Sequence, residues 1–357
     1  MGLRRLFITV GIFVSATVAC AQFQFNRCTL HEVYTHADGI SSYAPSSIRI
    51  GNLRYAWTCH NHDPFVVRDD IVMAKWENGH LIEDRSALSH SFFGWDSFHV
   101  CDPSVMRSEI VFNKTAYHWV MFFLGNDVNR SAHNQIGVAL AQTVEGPWEK
   151  LPQPVLTHAE DGGWGIGQPS AVPLDGKGRF LVIYSGAGLH AATVNLSDLD
   201  HIVVSPPIDV SSKGLESLTK LSPAVSNVDI AYSPDRQHIY AVGDVRTGEK
   251  HYPGFITSRL AVLSIDAHDL ARGSGVWRVE SVIGSELTGF PRNHNTGLVR
   301  DADGTLAGNG RLTVVFTQSC ATGSDHPCNA RAEWTYDLWE LSAPLQSRRE
   351  QVPAHDR

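Results

Sequence analysis

The 357-residue chain carries 37 Asp and Glu against 29 Lys and Arg, a net charge of −8, with 18% of residues charged and 43% apolar. That is the composition of a folded protein with a large core, and its negative balance removes the attraction that nucleic acid binding requires. Thirty Gly, 17 Pro, 15 Phe, 9 Tyr and 9 Trp beside only 4 Met point to short strands and tight turns and exclude an all-α fold.

In chain order, Arg4 and Arg5 precede an uncharged apolar run, Leu6 to Ala19, and Ala19-Cys20-Ala21 offers the small-x-small pattern of a signal peptidase site. Residues 1–21 are therefore expected to be an export signal, and the mature protein to be secreted or periplasmic. A lipid anchor on Cys20 is the alternative. Cleavage leaves Cys28, Cys59, Cys101, Cys320 and Cys328, an odd number. The turn-rich loop between Cys320 and Cys328 makes these two the expected disulfide. A zinc site there with His326 matches no common module.

The body of the chain repeats itself. Ala44-Pro45-Ser46, Asp102-Pro103-Ser104 and Gln168-Pro169-Ser170 each open a stretch of short β runs, and Asn227-Val228-Asp229 and Asn293-His294-Asn295 open two more. Gly146-Pro147-Trp148 and Gly275-Val276-Trp277 stand at corresponding later places. With Ala44, Asp102, Gln168, Asp229 and Asn295 as equivalent starts, the steps are 58, 66, 61 and 66 residues. Each step accommodates one four-stranded antiparallel sheet. Five such sheets repeated radially predict an all-β, five-bladed β-propeller over residues 22–342, followed by a disordered tail, 343–357. A β-sandwich would not explain the recurring openings.

Asp102-Pro103-Ser104-Val105, the aromatic strand Tyr117 to Phe123, Ile136-Gly137-Val138-Ala139 and Gly146-Pro147-Trp148 together resemble the blade signature of the five-bladed glycoside hydrolases. These include the arabinanases and β-xylosidases of family 43 and the neoagarooligosaccharide hydrolases of family 117. The resemblance spans roughly residues 40–342 and implies an inverting glycosidase acting on plant or algal oligo- or polysaccharides. In such enzymes one carboxylate activates water, a second orients it and tunes pKa values, and a third group protonates the leaving oxygen. Ala44 departs from the pattern, because the first blade supplies a carboxylate in that family. Rotating the set by one blade assigns Asp102 as base, Asp229 as tuning carboxylate and Glu286 as acid, with His294 as the competing acid.

The chemistry agrees with convergent acids, since burial beside other carboxylates separates their titrations and keeps one group protonated near pH 7. Asp102 and Asp229 equally suit turn-capping or satisfied inner-strand positions, and Glu286 suits a solvated loop. Trp95 and Trp164 suit sugar platforms or packing between blades. Gln168, Arg292, Asn295 and His62 complete the expected sugar-binding set, and Asp63-Pro64 is a reserve base. No cofactor is required. A structural calcium ion at the propeller axis is the one candidate ion, and the protein is expected to act as a monomer. Two other readings stay open: a sugar-binding propeller without catalysis, and a propeller-type phosphorylase holding phosphate on Arg292.

Overall fold

The computed structural model describes residues 23–36, 41–63, 66–130, 132–158, 163–248, 256–319 and 336–345. The expected export signal, Cys20, the expected Cys320–Cys328 pair and most of the expected tail lie outside these residues.

Short strands dominate because apolar, β-branched and aromatic residues come in runs of four to nine between Gly, Pro, Asn and Asp turns. The N-terminal strand is β1 (His31–Tyr34). The first blade follows, β2 (Ser42–Ile50), β3 (Leu53–Asn61), β4 (Asp69–Glu77) and β5 (His80–Leu88). The second is β6 (His99–Phe112), β7 (Thr115–Asn126), β8 (Gln135–Ala141) and β9 (Glu149–Lys150). The third is β10 (Gly167–Pro173), β11 (Arg179–Ser185), β12 (Leu189–Asn195), β13 (Val203–Val204) and β14 (Ile208–Asp209). The fourth is β15 (Val225–Tyr232), β16 (His238–Val245), β17 (Leu260–Asp266) and β18 (Arg278–Ile283). The fifth is β19 (Arg292–Asp301), β20 (Arg311–Ser319) and β21 (Asp337–Pro344), completed on its outer edge by β1 from the other end of the chain. This is the expected five-bladed propeller. Strand β21 runs to Pro344, so Ala343 and Pro344 belong to the last blade and not to a tail.

Every blade is apolar on both faces, which explains unbroken runs such as Trp119-Val120-Met121-Phe122-Phe123. Alternate side chains point to opposite faces of a strand. Trp119, Met121 and Phe123 pack with Trp57 and Met73 of the first blade, whereas Val120 and Phe122 pack with Phe180 and Val182 of the third. Similar clusters fill the other three seams, so the core is five inter-blade layers around an axis.

The inner strands open identically. Ala44, Asp102, Gln168, Asn227 and Asn295 all have left-handed backbone, with φ of 50°, 49°, 55°, 49° and 43°. A register shift follows each of them at the start of β2, β6, β10, β15 and β19. The equivalent of Asp102 in the fourth blade is thus Asn227 and not Asp229, and the last two steps become 59 and 68 residues. Asp229 instead matches Ser46, Ser104 and Ser170.

These four side chains tie the blades together. Ser46, Ser104 and Ser170 accept the backbone N–H of Val105, Ala171 and Ile230 in the next blade at 3.0, 3.0 and 2.9 Å, and Asp229 accepts that of Leu298 at 2.7 Å. Gly297 occupies the fifth such position. A Cβ there would lie 2.1 Å from the Pro45 carbonyl oxygen, so at this position the fifth and first blades approach backbone to backbone, and β19 pairs with β2 in parallel.

Candidate active site

Four of the five left-handed residues, Asp102, Gln168, Asn227 and Asn295, line a cavity of about 1050 Å³. Ala44 does not reach it and borders only a small void beneath. A left-handed residue with a side chain is costly, and four of these five present theirs to one cavity. Among these, Asp102 is the only acid.

Two further acids, neither anticipated from the sequence, join it. Asp69 opens β4, is fully buried, lines the cavity and accepts the Tyr43 hydroxyl on Oδ2; its Oδ1 has no hydrogen-bond partner. Asp244 lies near the end of β16, also fully buried, where Oδ2 accepts the Asn227 amide at 2.6 Å and the Asn295 N–H at 3.1 Å. Burial raises all three carboxyls to about 7. The charge of Asp102 pushes both Asp69 and Asp244 further up, while the Gln168 N–H favours ionised Asp102. The available signal was an acid at the end of an apolar strand, as in Ala241-Val242-Gly243-Asp244, where side-chain alternation turns it inward.

Asp102 rests on a disulfide. Cys59 of β3 and Cys101 of β6 are joined with Cα atoms 4.9 Å apart, and the Asp102 N–H points at Cys59 Sγ, 2.9 Å away. This bond welds the first seam beneath the candidate base. The sequence offers no sign of this pair, because only the fold brings residues 42 positions apart face to face; the expected Cys320–Cys328 pair lies outside the described residues. Cys28 is exposed and free.

The remaining candidates divide. Trp164, Gln168, Asn295 and His294 line the cavity, and Tyr43, Phe98 and Tyr336 add aromatic wall. His294 is buried with Nε2 unpaired; desolvation, opposed by the hydrogen bond His294 Nδ1 donates to Asn295 Oδ1 and assisted by Arg292, lowers its pKa to about 4. It is a neutral imidazole at pH 7 and not the cationic acid expected for it. Asp229 lies below the cavity, where Oδ1 accepts the Ser170 hydroxyl at 2.6 Å and faces Arg300 at 3.7 Å. Its oxygens are thus engaged in holding the blades together.

Glu286 is exposed on a single helical turn, α2 after the short α1 (Ala267–Leu270); α2 spans Ser285–Thr288. It does not line the cavity. Trp95 stacks on Phe123 at 5.5 Å and fills space left by Gly125 and Gly137, where a Cβ would lie within 2.6 Å of its ring. It is an inter-strand packing residue. Arg292 is buried and donates to the Ile256 carbonyl at 3.0 Å, which removes it as a phosphate ligand. His62 is exposed outside the cavity, its ring 4.4 Å from that of His60, and Asp63 does not line the cavity either.

The axis below the ring is occupied by the protein's own cation. Arg300, 1% exposed, donates to the carbonyls of Ala171 and Ile230 at 3.0 Å each and to the hydroxyls of Ser46 and Ser104 at 3.2 and 3.4 Å. The oxygens that a calcium ion would need there are engaged by the guanidinium, so the residues present do not fit an ion at that level.

Fold and site together define a five-bladed β-propeller with a carboxylate-floored funnel. No family model matches the sequence, and no curated protein matches it. Among solved structures, similar folds include the family 117 glycoside hydrolase Zg3597 of the marine bacterium Zobellia galactanivorans, with 14% identity, TM-score 0.56, and coverage of 92% of this chain and 91% of that one. The α-L-arabinofuranosidase PaAbf62A of Podospora anserina, solved with cellotriose, has 10% identity, TM-score 0.57, and coverage of 92% and 98%. The GH43_1 enzyme of Xanthomonas citri, solved with xylotriose, has 13% identity, TM-score 0.58, and coverage of 88% and 89%. At these identities the likeness concerns the fold.

Proposed function

We propose that this protein is an exported glycoside hydrolase that cleaves O-glycosidic bonds of plant or algal saccharides with inversion. The observation that carries the proposal is the convergence of three carboxyls, Asp69 and Asp244 buried and Asp102 half-buried, each raised to about 7, with Asp69 and Asp102 on the cavity wall. Coupled acids do not ionise together, so near neutral pH one is a carboxylate while its neighbours keep their protons.

Asp102 is the base. The Gln168 N–H favours its ionised form, and it opens on the cavity where water has access. Asp69 is the acid: its unpartnered Oδ1 is free to present a proton to a leaving oxygen, and ionised Asp102 discourages its own ionisation. Asp244 tunes the pair from behind Asn227 and Asn295. Neutral His294 and Gln168 supply hydrogen bonds to hydroxyls, and Trp164 offers an apolar face to a sugar ring. Export rests on residues 1–21, with cleavage before Gln22 and a monomeric product.

A panel of aryl glycosides and plant and algal oligosaccharides tests this reading. Turnover should fall at least about 100-fold in Asp102→Asn while binding survives. NMR of the first product should show the inverted anomer. Asp69→Asn should slow substrates with poor leaving groups far more than activated aryl glycosides. Binding without turnover across the panel would instead establish the sugar-binding propeller that Ala44 in the first blade favours.

A further inference from the structure

Two arginines stand at the cavity with no role in the acid–base chemistry. Arg130 belongs to the β7–β8 connection of the second blade, and Arg246 follows β16 of the fourth, so they approach the cavity from different blades. Both are exposed, and among the described residues neither forms an ion pair. The nearest acid in sequence to Arg130, Asp127, is engaged by His133 at 3.2 Å. The loop bearing Arg130 is held by Asn126, whose amide donates to the Arg130 carbonyl at 3.5 Å and to Asn134 Oδ1 at 3.0 Å.

We propose that Arg130 and Arg246 recognise an anionic substituent, a carboxylate or a sulfate ester, on the saccharide that enters the funnel. This rests on the hydrolase reading above and names its substrate class. They are the only permanent cations on the cavity wall among the described residues, in a protein whose net charge is −8. A guanidinium matches the paired oxygens of a carboxylate or sulfate with two parallel N–H donors, and leaving such a group unpaired beside a cavity favours an anion there. The other basic side chains of the wall, His99 and His294, are held neutral by burial, each at about 4. The acids of the floor shed charge below about 7, so they repel an incoming anion weakly.

Binding of the full-length protein is measured against three arms: oligogalacturonides, sulfated carrageenan oligosaccharides and neutral xylo- and arabino-oligosaccharides. The proposal expects the tightest binding in one acidic arm, at least about 10-fold weaker in Arg130→Gln/Arg246→Gln and weakened by salt. The arm that binds separates carboxylate from sulfate. Binding confined to the neutral arm, or acidic binding unchanged in the double variant, overturns the proposal and leaves the hydrolase reading intact. Acidic binding that depends on both arginines without turnover overturns the hydrolase reading alone. Absence of binding in every arm overturns the anionic assignment.

Discussion

At the residue scale, the candidate site turns on where a carboxyl can remain protonated. Asp69, Asp102 and Asp244 are raised from 3.8 to about 7, so between these values the folded protein holds protons that the unfolded chain has released. Each group therefore makes the folded state less stable as pH rises from about 4 to about 7. On the proposed mechanism activity requires one ionised and one protonated member and should peak near pH 7, falling on both sides, as kcat/KM against pH will show. Asp244→Asn should flatten the decline in unfolding free energy between pH 4 and 7, measured by urea titration, and should narrow or displace the activity profile. A variant that alters neither would remove Asp244 from the coupled set. The trade is a familiar one, in which a site kept strained for chemistry lowers stability.

At the element scale, two devices hold blades whose own hydrogen bonds end at their edges. The Cys59–Cys101 bond closes a 42-residue separation between β3 and β6. A chain-entropy estimate for a loop of that length is about 4 kcal/mol, so Cys59→Ala/Cys101→Ala should lower unfolding free energy by a comparable amount. It should also reduce turnover, because the Asp102 backbone lies against Cys59 Sγ. The other device closes the ring. Glu340 of β21 lies 2.5 Å from Arg54 of β3 and 3.2 Å from His31 of β1, where burial opposes its ionisation but the Arg54 charge and the hydrogen bonds from His31 and Arg54 bring its pKa down to about 2. Its contribution is present above about 4.5 and is lost as pH falls toward 2. Glu340→Gln should therefore lower Tm at pH 7 and leave the difference from wild type small at pH 2, as scanning calorimetry will show.

At the scale of the whole molecule, the axis is where sequence-distant groups meet. Arg300 touches the second, third and fourth blades and the first through Ser46, and faces Asp229. Arg300→Met would leave Asp229 buried near no cation and strip partners from two carbonyls. Unfolding free energy should drop by about 3–5 kcal/mol, since removing one member of a buried pair is far costlier than replacing both. Arg300→Met/Asp229→Leu should recover part of that loss; no recovery would show that the carbonyl contacts outweigh the ion pair.

Composition, turn residues and the recurring openings determined the all-β propeller and the number of blades, because radial repetition writes itself along the chain at nearly constant intervals. They also singled out Asp102, Gln168, Asn295 and Trp164, whose place is set locally by a left-handed residue or a turn at the head of an inner strand. Tertiary structure alone decided the rest. Asp69 and Asp244 sit at ordinary strand positions, and only the convergence of blades buries them beside Asp102. Asp229, two residues beyond the true repeat start, and Arg300 acquire meaning only where several blades meet. Trp95 and Glu286 had suitable chemistry but the wrong direction, one packed into the second blade and the other turned to solvent. Local sequence specifies the period and the pleat; which side chains face one another across an axis depends on closure of the ring, a property of all five blades at once.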